Sequence, residues 1–229
     1  MRIFNSFNIP KSFKNCVLAI GNFDGVHKGH QKVFYQASKK AIKNQIKFGI
    51  LTFEPMPTMF FNKKLKNFRL ISKEDKMSLL KKFNANFVIN IKFNKKFSKI
   101  YPDYFINKII FKKINPRFIF VSDNFRFGHK RKGNIFHLRK YSFKCKYELK
   151  KTYPLKYKGK IISSTLVRQS LQNANIKLAN TLLTRTWFID GTVQKGKKIG
   201  KKLGYPTCNI NIKNYLIPKK GVYIVKIRL

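Results

Sequence analysis

An α/β fold, a doubly wound parallel sheet followed by the beginning of a separate β unit, is predicted by three observations. Short apolar runs alternate with helical patterns through most of the chain. These runs are apolar on both faces, as strands covered by helices on each side must be. After about Thr186 the helical period stops, and strand patterns punctuated by Gly191, Gly196, Gly200 and Gly204 replace it.

The elements follow in order. Cys16–Ile20 is the first core strand, and it runs into Gly21-Asn22-Phe23-Asp24-Gly25-Val26-His27-Lys28-Gly29-His30. A helix is expected from His27 to about Lys43. Phe48–Phe53 is the second strand. Ser72-Lys73-Glu74-Asp75 has the form of a capping box and opens the next helix. Phe87–Ile91 is the third strand. Pro102, suited to a first helical turn, starts a helix that continues to about Lys113. Phe118–Val121 is the fourth strand. In the last part, Phe188–Val193, Thr207–Ile212 and Val222–Ile227 have strand composition. The expected division is therefore a first domain over residues 1–185 and a second unit over residues 186–229.

Composition narrows the class. The chain has 229 residues, 43% of them hydrophobic and 15% aromatic, enough for a substantial core and too apolar for disorder to dominate. The net charge of +43 invites a nucleic-acid reading. However, the basic residues are mostly lysine and spread along the whole length, with no arginine-rich arm and no zinc-finger spacing. Enrichment in Lys, Asn, Ile and Phe together is the mark of an A- and T-rich coding sequence. Dedicated nucleic-acid binding is thus not expected, although the charge should draw in anionic substrates. Cys16, Cys145 and Cys208 lie far apart with no zinc spacing, and reduced thiols in a cytoplasmic protein are expected. No segment has the make-up of a signal peptide or of a membrane span.

Two motifs carry phosphate chemistry. Residues 21–30 place glycines and a helix start directly after a strand. Glycines admit close backbone approach, and a helix N-terminus offers free N–H groups and a positive dipole end. His27 and His30 fall on one helical face. Ile162-Ser163-Ser164-Thr165-Leu166-Val167-Arg168 sets hydroxyls at a second helix start, with a guanidinium about one turn further on. In isolation that string is a cap. Beside the histidine motif it becomes a second phosphate-binding end.

These strings resemble the signatures of the HxGH nucleotidyltransferases. More narrowly, they resemble those of bacterial bifunctional riboflavin kinase/FMN adenylyltransferases, also called FAD synthetases. The resemblance implies transfer of AMP from ATP to FMN, with Mg²⁺, and cofactor synthesis from riboflavin. By it, His27 and His30 are the catalytic residues. Gly21, Phe23, Asp24, Gly25, Gly29, Ser163, Ser164, Thr165 and Arg168 would bind ATP. Thr52-Phe53-Glu54-Pro55-Met56-Pro57 is similar to a family segment in which Met56 replaces a histidine. Asp123-Asn124-Phe125-Arg126-Phe127-Gly128 is similar to another, with Asn124 in place of Asp, and puts Asn124 and Arg126 on the flavin side. Gly191-Thr192-Val193, Gly196, Gly200–Asn209 and Gly221-Val222-Tyr223 resemble the opening of the riboflavin kinase module. There Gly196 and Lys201 would approach ATP phosphates, and Thr207 and Asn209 would offer hard oxygen ligands to Mg²⁺. The chain stops within an apolar run ending at Leu229, so this module is expected to be incomplete and riboflavin kinase activity absent. Another HxGH nucleotidyltransferase with a different acceptor, or a basic nucleic-acid-binding protein, are the other readings of the same residues. Oligomeric state leaves no trace in the sequence.

Overall fold

The computed structural model describes residues 1–65, 67–194, 204–205, 207–212 and 215–228. Gly196 and Lys201 lie outside the described residues. Six parallel strands form the central sheet: β1 (Arg2–Phe4), β2 (Val17–Ile20), β3 (Phe48–Glu54), β4 (Phe87–Lys92), β5 (Phe118–Ser122) and β6 (Glu148–Thr152). Their order is β1-β4-β3-β2-β5-β6. The chain therefore steps outward from β2 through β3 to β4, then returns across the sheet to place β5 on the other side of β2. That reversal between β2 and β5 is the switch point at which open α/β sheets form a crevice beyond the strand carboxyl ends.

Alternation in β2 divides the core. Leu18 and Ile20 pack on one face with Leu51, Ile89 and Ile119. Val17 and Ala19 pack on the other with Ile50, Val88 and Phe120. α1 (Lys28–Lys43) covers the second face through Val33, Phe34, Ala37 and Ala41. α2 (Pro57–Phe61) is a short turn of helix after β3. α3 (Lys73–Lys81) joins α1 on the second face through Met77 and Leu80. Its start is capped as expected, with the Ser72 hydroxyl accepting from the Asp75 N–H at 3.0 Å. α4 (Lys95–Ser98) is again short. α5 (Pro102–Tyr104) continues as a π-helix over Phe105–Ile114, which covers the first face through Ile106, Ile110 and Ile114.

The structure extends the expected sheet by two edge strands. Arg2-Ile3-Phe4 is too short to show a period, and Glu148-Leu149-Lys150-Lys151-Thr152 lacks the apolar run of an interior strand. Each has only one partner, β4 for β1 and β5 for β6, so neither needs two apolar faces.

Beyond the sheet, α6 (Ile135–Ser142) precedes β6. A small hairpin of β7 (Lys156–Tyr157) and β8 (Lys160–Ile161) leads into α7 (Ser164–Gln172) and α8 (Ile176–Leu183). These two helices build a third core with Leu70, Ile162 and Leu216. β9 (Thr192–Gln194) and β10 (Asn209–Asn211) pair antiparallel; β10 lies within the strand expected at Thr207–Ile212, whereas β9 shares only Thr192 and Val193 with the one expected at Phe188–Val193. The expected strand Val222–Ile227 is corrected: those residues have no regular secondary structure, and Val222, Ile224, Val225 and Ile227 are exposed. With no neighbouring strand among the described residues to complete a ladder, strand composition alone does not make a strand.

Candidate active site

One cleft of ≈ 870 Å³ opens over the carboxyl ends of β2, β3 and β5. It is lined by Gly21, Phe23, Asp24, His27, Gly29 and His30 from the first motif and by Ser163, Ser164, Thr165 and Arg168 from the second. Met56, Asn124 and Arg126 also line it. The fold thus joins segments far apart in sequence. Thr207 and Asn209 are not among its lining residues; both are exposed, the latter in β10.

The turn after β2 is tightly wound. Phe23 and Val26 hold left-handed conformations at φ 53° and 44°, and Gly25 sits at φ 76°. Val26 is β-branched and rarely adopts such a φ, so tertiary contacts impose the shape. A Cβ on Gly25 would also meet Leu70 Cδ1 at 2.8 Å, and one on Gly21 would meet the Phe23 ring at 2.8 Å. These two glycines therefore serve the packing of the turn itself as well as access to the cleft.

α1 begins one residue later than expected because His27 is its cap. The His27 Nδ1 accepts from the Gly29 N–H at 3.2 Å. That bond leaves the neutral ring's proton on Nε2. His30 stacks on His27 with ring centroids 3.6 Å apart, and Phe23 meets His30 edge-on at 5.3 Å. The His30 Nδ1 is buried with no partner among the described residues. Burial, then repulsion from Arg168 and Arg185, pushes the His27 pKa down to about 4. Burial, His27 and Lys76 hold His30 well below the ordinary imidazole range. Both rings are therefore neutral at pH 7, and each can offer an N–H without carrying a charge.

α7 is fastened to this turn. Ser163 is its N-cap and accepts from the Leu166 N–H at 3.2 Å. Ser164 donates to the Asp24 carbonyl at 2.9 Å. Arg168 pairs with the buried Asp24 carboxylate, donates through Nε to the Phe68 carbonyl at 3.0 Å, and stacks over the Phe68 ring at 3.6 Å. The hydroxyls of Ser163 and Ser164 are thus already committed. What the helix end leaves for a ligand is the exposed Thr165 and the N–H groups of Ser164 and Thr165, which have no intrahelical acceptor. Burial raises the Asp24 pKa, while Arg168, the Leu70 N–H and Lys76 pull it back.

Two residues outside the motifs support the site. Arg185 donates to the Gly25 carbonyl at 2.8 Å. Lys76, only 3% exposed, bonds to Thr52 Oγ1 at 3.3 Å and to the Asn22 carbonyl at 3.5 Å. A lysine on the same buried face of α3 as Met77 and Leu80 is the signal that could have found it. The far wall of the cleft is aromatic, with Phe53, Phe93, Phe97, Phe105 and Phe125 among its lining. Asn124 is exposed there and accepts from the Ser122 hydroxyl at 3.0 Å, and Arg126 is exposed.

A resident metal does not fit this cleft. No group of three His, Cys, Asp or Glu side chains among the described residues could hold one, and the Asp24 carboxylate is occupied by Arg168 and the Leu70 N–H.

Comparison with known proteins gives two family matches: FAD synthetase over residues 9–166 and riboflavin kinase over residues 183–229. The bifunctional riboflavin kinase/FMN adenylyltransferase of Buchnera aphidicola subsp. Schizaphis graminum is 41% identical over 221 residues, covering 96% of this chain and 71% of that protein. The same enzyme of Haemophilus influenzae is 36% identical, covering 97% and 72%. That of Escherichia coli K12 is 33% identical, covering 93% and 68%. A solved structure described as a macrolide-efflux protein from Streptococcus pneumoniae matches with a TM-score of 0.81 and 25% identity, over 96% of this chain and 72% of that one. Among the described residues, no helix is long and apolar enough to cross a membrane.

Proposed function

The chain belongs to the bifunctional riboflavin kinase/FMN adenylyltransferase family, and on that premise we propose how its cleft works. It is an FMN adenylyltransferase of FAD biosynthesis: AMP passes from ATP to FMN, giving FAD and pyrophosphate. The observation that carries the site assignment is the stacked His27–His30 pair facing the free N-terminus of α7 across one cleft at the switch point.

An FMN phosphate oxygen attacks the ATP α-phosphorus in line. One P–O bond forms to FMN as the bond to pyrophosphate breaks, and no covalent enzyme intermediate is needed. Positioning and electrostatic stabilisation then carry the rate. The neutral imidazoles donate N–H bonds to phosphate oxygens as charge develops. Ser164 and Thr165 N–H groups, with the Thr165 hydroxyl, hold the triphosphate. Arg168 acts at the edge of the cleft, where its pairing with Asp24 fixes it, and Asp24 orders the turn more than it meets ATP. The aromatic wall, with Asn124 and Arg126 at its rim, takes the flavin. Since the described residues offer no carboxylate cage, Mg²⁺ would be held by the triphosphate itself, where it would offset phosphate charge.

We assign residues 1–185 to this activity and residues 186–229 to the nucleotide side of riboflavin phosphorylation, with Gly196, Lys201, Thr207 and Asn209 toward Mg-ATP. Cytoplasmic residence fits the three free cysteines. Dispersed lysines favour small anionic substrates over a specific nucleic-acid partner.

The test is direct. Purified chain incubated with ATP, FMN and Mg²⁺ should form FAD, and His30→Ala should lower kcat by about 10²–10³-fold with the fold intact. Undiminished turnover in that variant would show the histidine assignment to be wrong.

A further inference from the structure

The buried lysine of α3 has no place in the mechanism above, yet it lies against it. Lys76 is 3% exposed, which is rare for a lysine without a direct carboxylate partner. Its Nζ bonds to Thr52 Oγ1 at 3.3 Å and to the Asn22 carbonyl at 3.5 Å, and Thr52 Oγ1 in turn donates to Asn22 O at 3.2 Å. The ammonium therefore closes a triangle between the end of β3 and the first residues of the turn after β2. Asn22 directly precedes Phe23, whose ring packs edge-on against His30. Fixing Asn22 fixes that ring, and the ring fixes the imidazole.

We propose that Lys76 is a positioning residue for the histidine pair: it pins the Asn22 turn to β3 and sets a positive charge beside His30. The charges facing Lys76 come from every neighbouring element. Burial lowers its pKa most, Glu54 of β3 and Asp24 of the turn favour the ammonium, and Arg69 of the following loop and Lys73 of α3 oppose it. Burial depresses the His30 pKa most, and repulsion from His27 and from Lys76 adds to it. A lysine at this point thus adds to the burial that keeps His30 neutral, which suits a ring that must donate an N–H beside an equally neutral partner stacked upon it. The kinetic part rests on the adenylyl-transfer reading; the titration part does not.

The experiment compares Lys76→Met, Lys76→Arg and Thr52→Val with wild type by NMR titration of the histidine C2–H signals, without substrates. FAD formation is followed in parallel from pH 5 to 9. In Lys76→Met the repelling charge is gone, so the His30 midpoint should rise and the acid limb of kcat/KM should move up with it. Lys76→Arg should restore the wild-type midpoint. Thr52→Val keeps the charge, and should lower kcat severalfold without moving the midpoint. A folded Lys76→Met with an unchanged His30 titration overturns the proposal. Should that variant fail to fold, wild type decides: a His30 midpoint at the ordinary value of about 6.5 overturns it equally. A shifted titration with no FAD made by wild type would instead refute the function and leave the positioning role standing.

Discussion

At the scale of the residue, the histidines are poised by what surrounds them. His27 spends its Nδ1 on capping α1, and burial with two nearby guanidiniums pushes its pKa down to about 4. Such a ring is uncharged from below pH 5 upward. We therefore expect no histidine-dependent step in kcat between pH 6 and 8, measured as FAD formed under saturating ATP and FMN. A bell with its acid limb near 6.5 would contradict this. The same shift links to stability. The unfolded chain binds a proton to His27 below about pH 6.5 and the folded chain only below about pH 4. The unfolded state thus holds more protons across that window, and stability falls as pH drops through it. Wild type should lose on the order of 3 kcal/mol more than His27→Asn between pH 7 and pH 4, read from denaturant unfolding. Taking the difference with the variant removes the opposing contribution of Asp24, whose raised pKa favours the folded state in acid.

At the scale of the element, the site depends on holding α7 against the turn after β2. The Asp24–Arg168 pair does this with both side chains largely buried, at 6% and 11% exposure. Removing one member leaves a buried charge without its partner. Arg168→Ala should therefore cost about 3–5 kcal/mol of unfolding free energy, whereas Ser163→Ala should cost only about 1 kcal/mol by loss of a cap. Similar losses in both variants would mean that the pair is not what holds the helix. This level also decides how much could be read from sequence. The four interior strands are legible because burial on two faces forces every position apolar, and their observed ends lie within a residue or so of the expected ones. β1 and β6 are not, because an edge strand answers to one neighbour only. The π-helical winding of Phe105–Ile114 has the same apolar spacing as an α-helix over so short a span, so periodicity cannot distinguish them. Within the site, both phosphate motifs are visible as strings, since glycines and caps have local causes. That Ser164 would turn to the Asp24 carbonyl, or that Lys76 would lie beneath Asn22, depends on contacts between distant segments and has no local cause.

At the scale of the whole molecule, the charge balance is the dominant fact. There are 51 basic and 8 acidic residues, and half of the acids are already paired locally. Asp24 holds Arg168, Glu54 holds Arg69, Asp123 holds Lys151, and Glu148 holds Lys40 and Lys150. Little negative charge remains to offset the rest, so the folded state carries a positive field that repels itself more as the chain compacts. Salt should relieve that repulsion, because the Debye length falls to about 10 Å at 0.1 M and to about 3 Å at 1 M. The thermal midpoint should therefore rise by several degrees between 20 and 300 mM KCl, corresponding to a gain of about 1–2 kcal/mol for a chain of this size. The same field gathers anions toward the cleft, and the same salt weakens it. KM for ATP should then climb severalfold over the interval in which the midpoint climbs, with kcat little changed. Chloride rather than sulfate is the salt to use, since sulfate strengthens burial in any protein and would mimic the first effect. A midpoint that stays flat while KM rises would place the excess charge at the cleft alone. A KM that stays flat while the midpoint rises would make it a burden on the fold with no part in substrate capture.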